Sequence, residues 1–267
     1  MYDYHTHSSF SGDCRYSMED MVKGALSKNI KSLSFTDHID YDYGNDKIDF
    51  VFEEKDYFKE IERLRCNYKG QIEIISGIEL GMQPHLVNSI YDMVNLENYD
   101  FIIMSIHTVM GKDMHEGEIF KDKSLLEVYL LYYSEMYEVL NKFNDFDIVG
   151  HINLIDRYIN HMNGVTVNFK EYKDLVEKVL KKIIDKNKGI EVNTSGIRYG
   201  INSFLPNVEI LKLYKDLGGE IITIGSDAHN PEHIGFHYQE TVSLLKDLGF
   251  KYITTFKNRK KQFIKIE

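Results

Sequence analysis

The 267-residue chain has no tryptophan, two cysteines and three prolines. Cys14 and Cys66 share no metal or redox spacing, so they read as free thiols of a reducing compartment rather than as a disulfide framework. Three prolines leave no Pro-rich linker. Low-complexity tracts, repeats of fixed period and shifts in composition are absent too, which points to one domain over residues 1–267. No apolar run approaches the roughly 20 residues of a membrane-spanning helix. The polar N-terminus leads directly into an expected strand, unlike a secretory leader. A cytoplasmic protein with no membrane partner is therefore expected. Positive charge is also scarce: 32 Lys and Arg against 42 Asp and Glu give a net charge of −10. Affinity for phosphate backbones comes from Lys and Arg, so a nucleic-acid partner is not expected.

What is present suits an α/β barrel in length and in its 43% hydrophobic content. Seven short apolar runs fall at residues 2–4, 32–36, 72–77, 101–105, 147–150, 189–192 and 221–225. Several are continuous, as in Phe101-Ile102-Ile103-Met104, which predicts strands buried on both faces. An eighth run, 252–256, is either a further strand or a closing segment. Helical periodicity lies between the runs, at 17–28, 53–68, 123–143, 172–184, 208–217 and 240–248. Ser17 is the expected N-cap of the first helix, with Asp20 in its first turn. The βα order predicts a parallel sheet.

Each run is followed by ligand-type residues: His5 and His7, then Asp37 and His38, Glu79, His107, His151, the stretch 193–198, and finally Asp227 and His229. In a barrel all these strand ends meet at one mouth. Six of the 11 histidines stand at strand ends, too regular a placement for scattered surface residues. With Asp13, Glu79 and Asp227 they make nine candidate ligands. One catalytic ion takes three or four, so the count fits three ions with a shared carboxylate. Imidazole and carboxylate donors suit Zn, Mn, Fe or Co, and the lack of Cys at strand ends disfavours a thiolate site.

The ordered motifs H5-T-H7, T36-D37-H38, G77-I78-E79, S105-I106-H107, G150-H151 and S226-D227-A228-H229 resemble the PHP (polymerase and histidinol phosphatase) superfamily. The stretches at 5–13, 150–157 and 193–198 are similar to its L-histidinol-phosphate phosphatases. The resemblance implies a distorted (β/α)7-type barrel with a trinuclear metal centre at the C-terminal mouth of the strands. It implies one ion on His5, His7, Glu79 and Asp227, a second on Glu79, His107 and His151, and a third on Asp13, His38 and His229. Asp3 and Asp37 are candidates to orient imidazoles.

The implied activity is hydrolysis of L-histidinol phosphate to L-histidinol and phosphate, a step of histidine biosynthesis. A water bridging two ions loses a proton near neutral pH and attacks the phosphorus in line. Arg157 and Arg198 are candidate phosphate-binding residues, because a guanidinium fork matches phosphate oxygens. Asp227 or His229 is the candidate proton donor to the leaving oxygen. Segments 40–44 and 108–120, the latter with Asp113, Glu116 and Glu118, are candidates to meet the organic half. Alternatives are a broad phosphatase, a nucleotide phosphodiesterase, a tyrosine-protein phosphatase, or a non-catalytic module. A metal-dependent amidohydrolase would place a bridging Lys at a strand end, and none is there.

Overall fold

Phe101 to Ser105 form a strand with no exposed residue, as a strand between a barrel interior and a coat of helices must be. The computed structural model describes residues 1–45, 48–162 and 165–266. Among them are twelve strands: β1 (Tyr2–Thr6), β2 (Ser32–Phe35), β3 (His38–Asp40), β4 (Glu73–Gly81), β5 (Phe101–Ser105), β6 (Thr108–Val109), β7 (Lys112–Asp113), β8 (Ile148–Val149), β9 (Gly189–Asn193), β10 (Ile222–Gly225), β11 (Tyr252–Lys257) and β12 (Lys260–Lys265).

The main sheet runs β1-β2-β4-β5-β8-β9-β10, with every pairing parallel, and β3 continues along β4 where β2 stops. Its two ends meet at the C-terminal rim. There the His7 N–H donates to the Ala228 carbonyl at 2.9 Å and the Asp227 N–H to the His5 carbonyl at 2.8 Å. The result is the expected barrel of seven strands.

Helices Met18–Ser27, Glu54–Asn67, Leu125–Lys142, Phe169–Asp185, Val208–Asp216 and Tyr238–Asp247 coat it. Ser17 caps the first in a capping box with Asp20, as expected. The last starts two residues earlier than its apolar period indicates, just after His237, which adopts a left-handed conformation. No helix among the described residues is long and apolar enough to cross a membrane.

Side chains alternate along each strand, so two cores result. Ile102, Met104, Val149 and Ile190 face the helices. Tyr4, Ile75, Phe101, Ile103, Ile148 and Ile221 fill the lower barrel with Phe256. Phe256 belongs to β11, which is the closing segment and not an eighth strand of the barrel. β11 pairs antiparallel with β12 around Asn258-Arg259, both at positive φ, a two-residue hairpin turn. With β1 and β10 already joined at the rim, this hairpin plugs the bottom instead. Phe256 stacks on Phe101 with ring centroids 5.1 Å apart, and the Tyr4 hydroxyl donates to its carbonyl at 3.0 Å.

One irregularity positions the functional end. The β1–β2 register slips between Asp3 and Thr6, where three steps on β1 match two on β2. This bulge lets Tyr4 face the lower core and His5, its direct neighbour, face the mouth above it.

Candidate metal centre

Glu79 is the hub of the mouth. It lies on the inward face of β4, fully buried. Its Oε2 is 3.1 Å from His5 Nε2, 3.6 Å from His7 Nε2 and 3.2 Å from His38 Nδ1. Its Oε1 is 3.1 Å from His107 Nε2 and 2.8 Å from His151 Nε2. Asp227 faces the same space, with Oδ1 3.4 Å from His7 Nε2 and 4.0 Å from His5 Nε2. At the outer edge, Asp13 Oδ2 is 3.1 Å from His229 Nε2 and 3.9 Å from His38 Nε2. All nine expected donors are thus gathered in one cluster.

The donors fall into groups close enough to share an ion: His5 with His7 and Asp227, His5 with Glu79 and His151, His38 with Glu79 and His107, and His7 with His38 and His229. The ring nitrogens His7 Nε2, His38 Nδ1 and His229 Nε2 are buried without a well-formed hydrogen bond among the described residues. A buried imidazole nitrogen left in that state is costly, and a cation would satisfy it. Six imidazoles and three carboxylates fit a borderline divalent metal. Cys14, beside Asp13, is not a competing ligand: burial pushes its thiol up to about 11, and it donates to the His229 carbonyl.

The electrostatics agree. Burial opposes charge on His5, yet Glu191 and Glu79 outweigh it and hold its pKa well above the usual value. Burial likewise opposes His38, and Glu79 with Asp40 and Asp13 raises it to about 9. His7 moves the other way, well below its usual value, through burial and the neighbouring His229 and His38. Burial resists ionisation of Glu79 and Asp227, but the surrounding imidazoles and, for Asp227, Arg157 hold both well below the carboxylate range. Protons thus balance the carboxylates where metal cations would otherwise do so.

Two carboxylates escaped sequence reasoning as partners of imidazoles. Glu191, on the inward face of β9, accepts from His5 Nδ1 at 2.7 Å and from the His151 N–H at 2.9 Å. Asp40 accepts from His107 Nδ1 at 2.6 Å. Each leaves the ring's Nε2 to face the cluster, the usual support for a metal-binding histidine. The one sequence signal for Glu191 was an acid inside an apolar strand. Space is made for it by Gly225, where a Cβ would sit 2.0 Å from Glu191 Oε1 and 2.4 Å from the His5 Cβ.

The two acids singled out for this role act less directly. Asp37 accepts from Ser8 and Ser11, and Ser11 Oγ in turn lies 3.1 Å from His7 Nδ1. Asp3 touches no imidazole; it accepts from Ser226 and from the Gly235 N–H, bracing the segment that carries Asp227.

Arg157, on the 3-10 helix Leu154–Met162, donates to Asp227 Oδ2 at 3.0 Å and to Ser195 Oγ at 2.6 Å, with its guanidinium 4.1 Å above the Tyr199 ring. It lines the cleft over the cluster, together with Tyr43, Phe50, Leu154, Tyr158 and Tyr199. Arg198 is not brought to the cleft wall. It donates from behind to the Ser226 and Asp227 carbonyls at 3.1 and 2.8 Å. Of the acids in 108–120, Asp113 is buried beside Tyr43, whereas Glu118 pairs with Lys112 and Lys121 in solvent.

A family model described as the PHP domain matches residues 3–195, well over half of the chain. The chain belongs to the PHP family. Seven of the nine donors lie inside that PHP match, and Asp227 and His229 follow it. A probable histidinol-phosphatase of Clostridium acetobutylicum is 30% identical over 94% of this chain and 95% of its own. The histidinol-phosphatase of Lactococcus lactis is 27% identical over 97% and 95%. A crystal structure of the histidinol phosphate phosphatase of Lactococcus lactis, complexed with zinc, L-histidinol and phosphate, superposes with a TM-score of 0.88. It has 26% identity and 98% coverage of both chains.

Proposed function

We propose that this chain is a metal-dependent phosphomonoesterase that hydrolyses L-histidinol phosphate to L-histidinol and phosphate, a step of histidine biosynthesis. The observation that carries this reading is the convergence of nine imidazole and carboxylate donors with Arg157 on one cleft. The substrate is supported by likeness along nearly the whole chain to a phosphatase holding zinc, L-histidinol and phosphate.

Three divalent ions, Zn, Mn, Fe or Co, are the cofactors of this reading. His5, His7, Glu79 and Asp227 would hold one, Glu79, His107 and His151 a second, and Asp13, His38 and His229 a third. When bound, such ions supply charge neutralisation for a phosphoryl group and make water acidic enough to act as a nucleophile near neutral pH. Arg157 contributes a fixed, always charged fork for phosphate oxygens. Its stacking on Tyr199 and its bond to Ser195 hold that fork in place. Arg198 adds positive charge from behind the Asp227 segment. Asp227, ionised beside Arg157, suits taking a proton from attacking water. That proton then passes to the leaving oxygen from Asp227 itself or through His229, 3.6 Å from it. The free thiols Cys14 and Cys66 fit a cytoplasmic setting, and the net charge of −10 fits a small-molecule partner over nucleic acid.

The test is phosphate release from L-histidinol phosphate with Mn, Zn, Fe(II) or Co added, beside p-nitrophenyl phosphate and a nucleotide phosphodiester. A kcat/KM for L-histidinol phosphate well above the others is expected. Equal or better turnover of the other two would move the chain to another phosphoesterase activity.

A further inference from the structure

The cleft has an aromatic wall that the phosphate-binding reading does not use. Tyr43 and Phe50, which follow β3, pack edge to face with centroids 4.8 Å apart, and Phe50 in turn meets the His38 ring at 5.0 Å. Tyr158 lines the same cleft.

Behind Tyr43 lies Asp113, only 4% exposed. Among the described residues it accepts hydrogen bonds from the Tyr43 hydroxyl at 3.1 Å, the Asn45 amide at 3.2 Å and the His115 N–H at 2.7 Å. Buried polar groups are held by hydrogen bonds, and this carboxylate takes these three. Here it forces a direction on Tyr43. A carboxylate only accepts, so the phenol O–H donates to Asp113 and its oxygen offers lone pairs alone to other groups. That oxygen, with its hydrogen committed to Asp113, can only accept a hydrogen bond at the cleft. Aromatic faces attract cations as well. Among the cleft-lining residues described, Arg157 is the one permanently charged cation, and it stands on a different segment from Tyr43.

We infer that Tyr43, backed by Asp113 and flanked by Phe50 and Tyr158, is the subsite for a positively charged, N–H-bearing organic group on the phosphoester. This rests on the phosphomonoesterase reading above and deepens it. The wall selects the organic half while the metal cluster and Arg157 handle the phosphate, so esters lacking a cationic N–H group are disfavoured.

The experiment measures kcat/KM of metal-loaded enzyme for L-histidinol phosphate and for p-nitrophenyl phosphate, in wild type, Tyr43→Phe and Asp113→Asn. The quantity read is the ratio of the two constants, which cancels losses from partial folding or metal loading. Tyr43→Phe keeps the ring and removes the acceptor oxygen, so the ratio is expected to fall at least tenfold. Asp113→Asn removes the charge behind the phenol and lowers the same ratio, and inhibition by L-histidinol weakens in both variants. A wild-type preference that persists in both variants overturns the subsite and leaves the activity standing. A wild type without any preference overturns the subsite and the substrate assignment together.

Discussion

His5 Nδ1 lies 2.7 Å from Glu191 Oε1, a contact that joins the first strand of the barrel to one 186 residues later. Glu191 therefore governs the orientation and basicity of a candidate ligand without facing an ion itself. Replacing it with Gln removes the charge and keeps the size. Metal affinity is expected to weaken by about 10- to 100-fold, as for other supporting carboxylates. Competition with a chelator measures this, and an affinity equal to wild type would show that Glu191 only fills space.

Arg157 is bonded to Asp227 and Ser195 on the cleft wall. Charge-assisted hydrogen bonds contribute about 1.5–3 kcal/mol, so Arg157→Ala is expected to lower kcat/KM for the phosphoester at least tenfold. Arg198→Ala is expected to lower it as well, by removing positive charge behind Asp227 and freeing the Ser226 and Asp227 carbonyls that it holds. Unchanged kinetics in both variants, with metal content verified, would remove the arginines from phosphate binding.

Metal removal should affect stability in a pH-dependent way. In the metal-free chain His38 is raised from 6.5 to about 9, since Glu79 and its neighbouring acids outweigh burial. The stability this group adds is fully present below pH 6.5 and is lost as pH rises through 9. Metal binding needs the unprotonated ring and strengthens over the same window. The difference in Tm between metal-loaded and chelator-treated protein is expected to widen from pH 6.5 to 9. A constant difference would mean that His38 does not exchange a proton for metal.

Phe256 closes the barrel from below, 4% exposed and stacked on Phe101. Phe256→Ala should cost about 3–5 kcal/mol of stability. Denaturant unfolding measures the loss, and a cost below 1 kcal/mol would argue that the hairpin is an ornament on a barrel that closes without it.

Much of the site was legible because strand-end chemistry repeats. His5, His38, Glu79, His107, His151 and Asp227 each follow an apolar run, and a parallel sheet brings such ends together whatever the details of packing. The continuous run at Phe101 announced burial on both faces, and Ser17 with Asp20 announced a helix start. Less was legible where a role depends on what lies across the barrel. Asp40 read as part of a loop near the substrate and instead supports His107. Arg198 read as a phosphate-binding residue, and its bonds to the Ser226 and Asp227 carbonyls had no sequence signal.

By itself, then, the sequence determined the class of the fold, the donors and their order, since hydrophobic period and residue chemistry are local properties. The tertiary structure alone decided which carboxylate backs which imidazole, that a bulge in β1 turns both Tyr4 and His5 inward, and that residues 252–256 plug the barrel rather than extend it. Those outcomes depend on sheet register and closure, which bring together residues far apart in the chain, and no local pattern records such pairings.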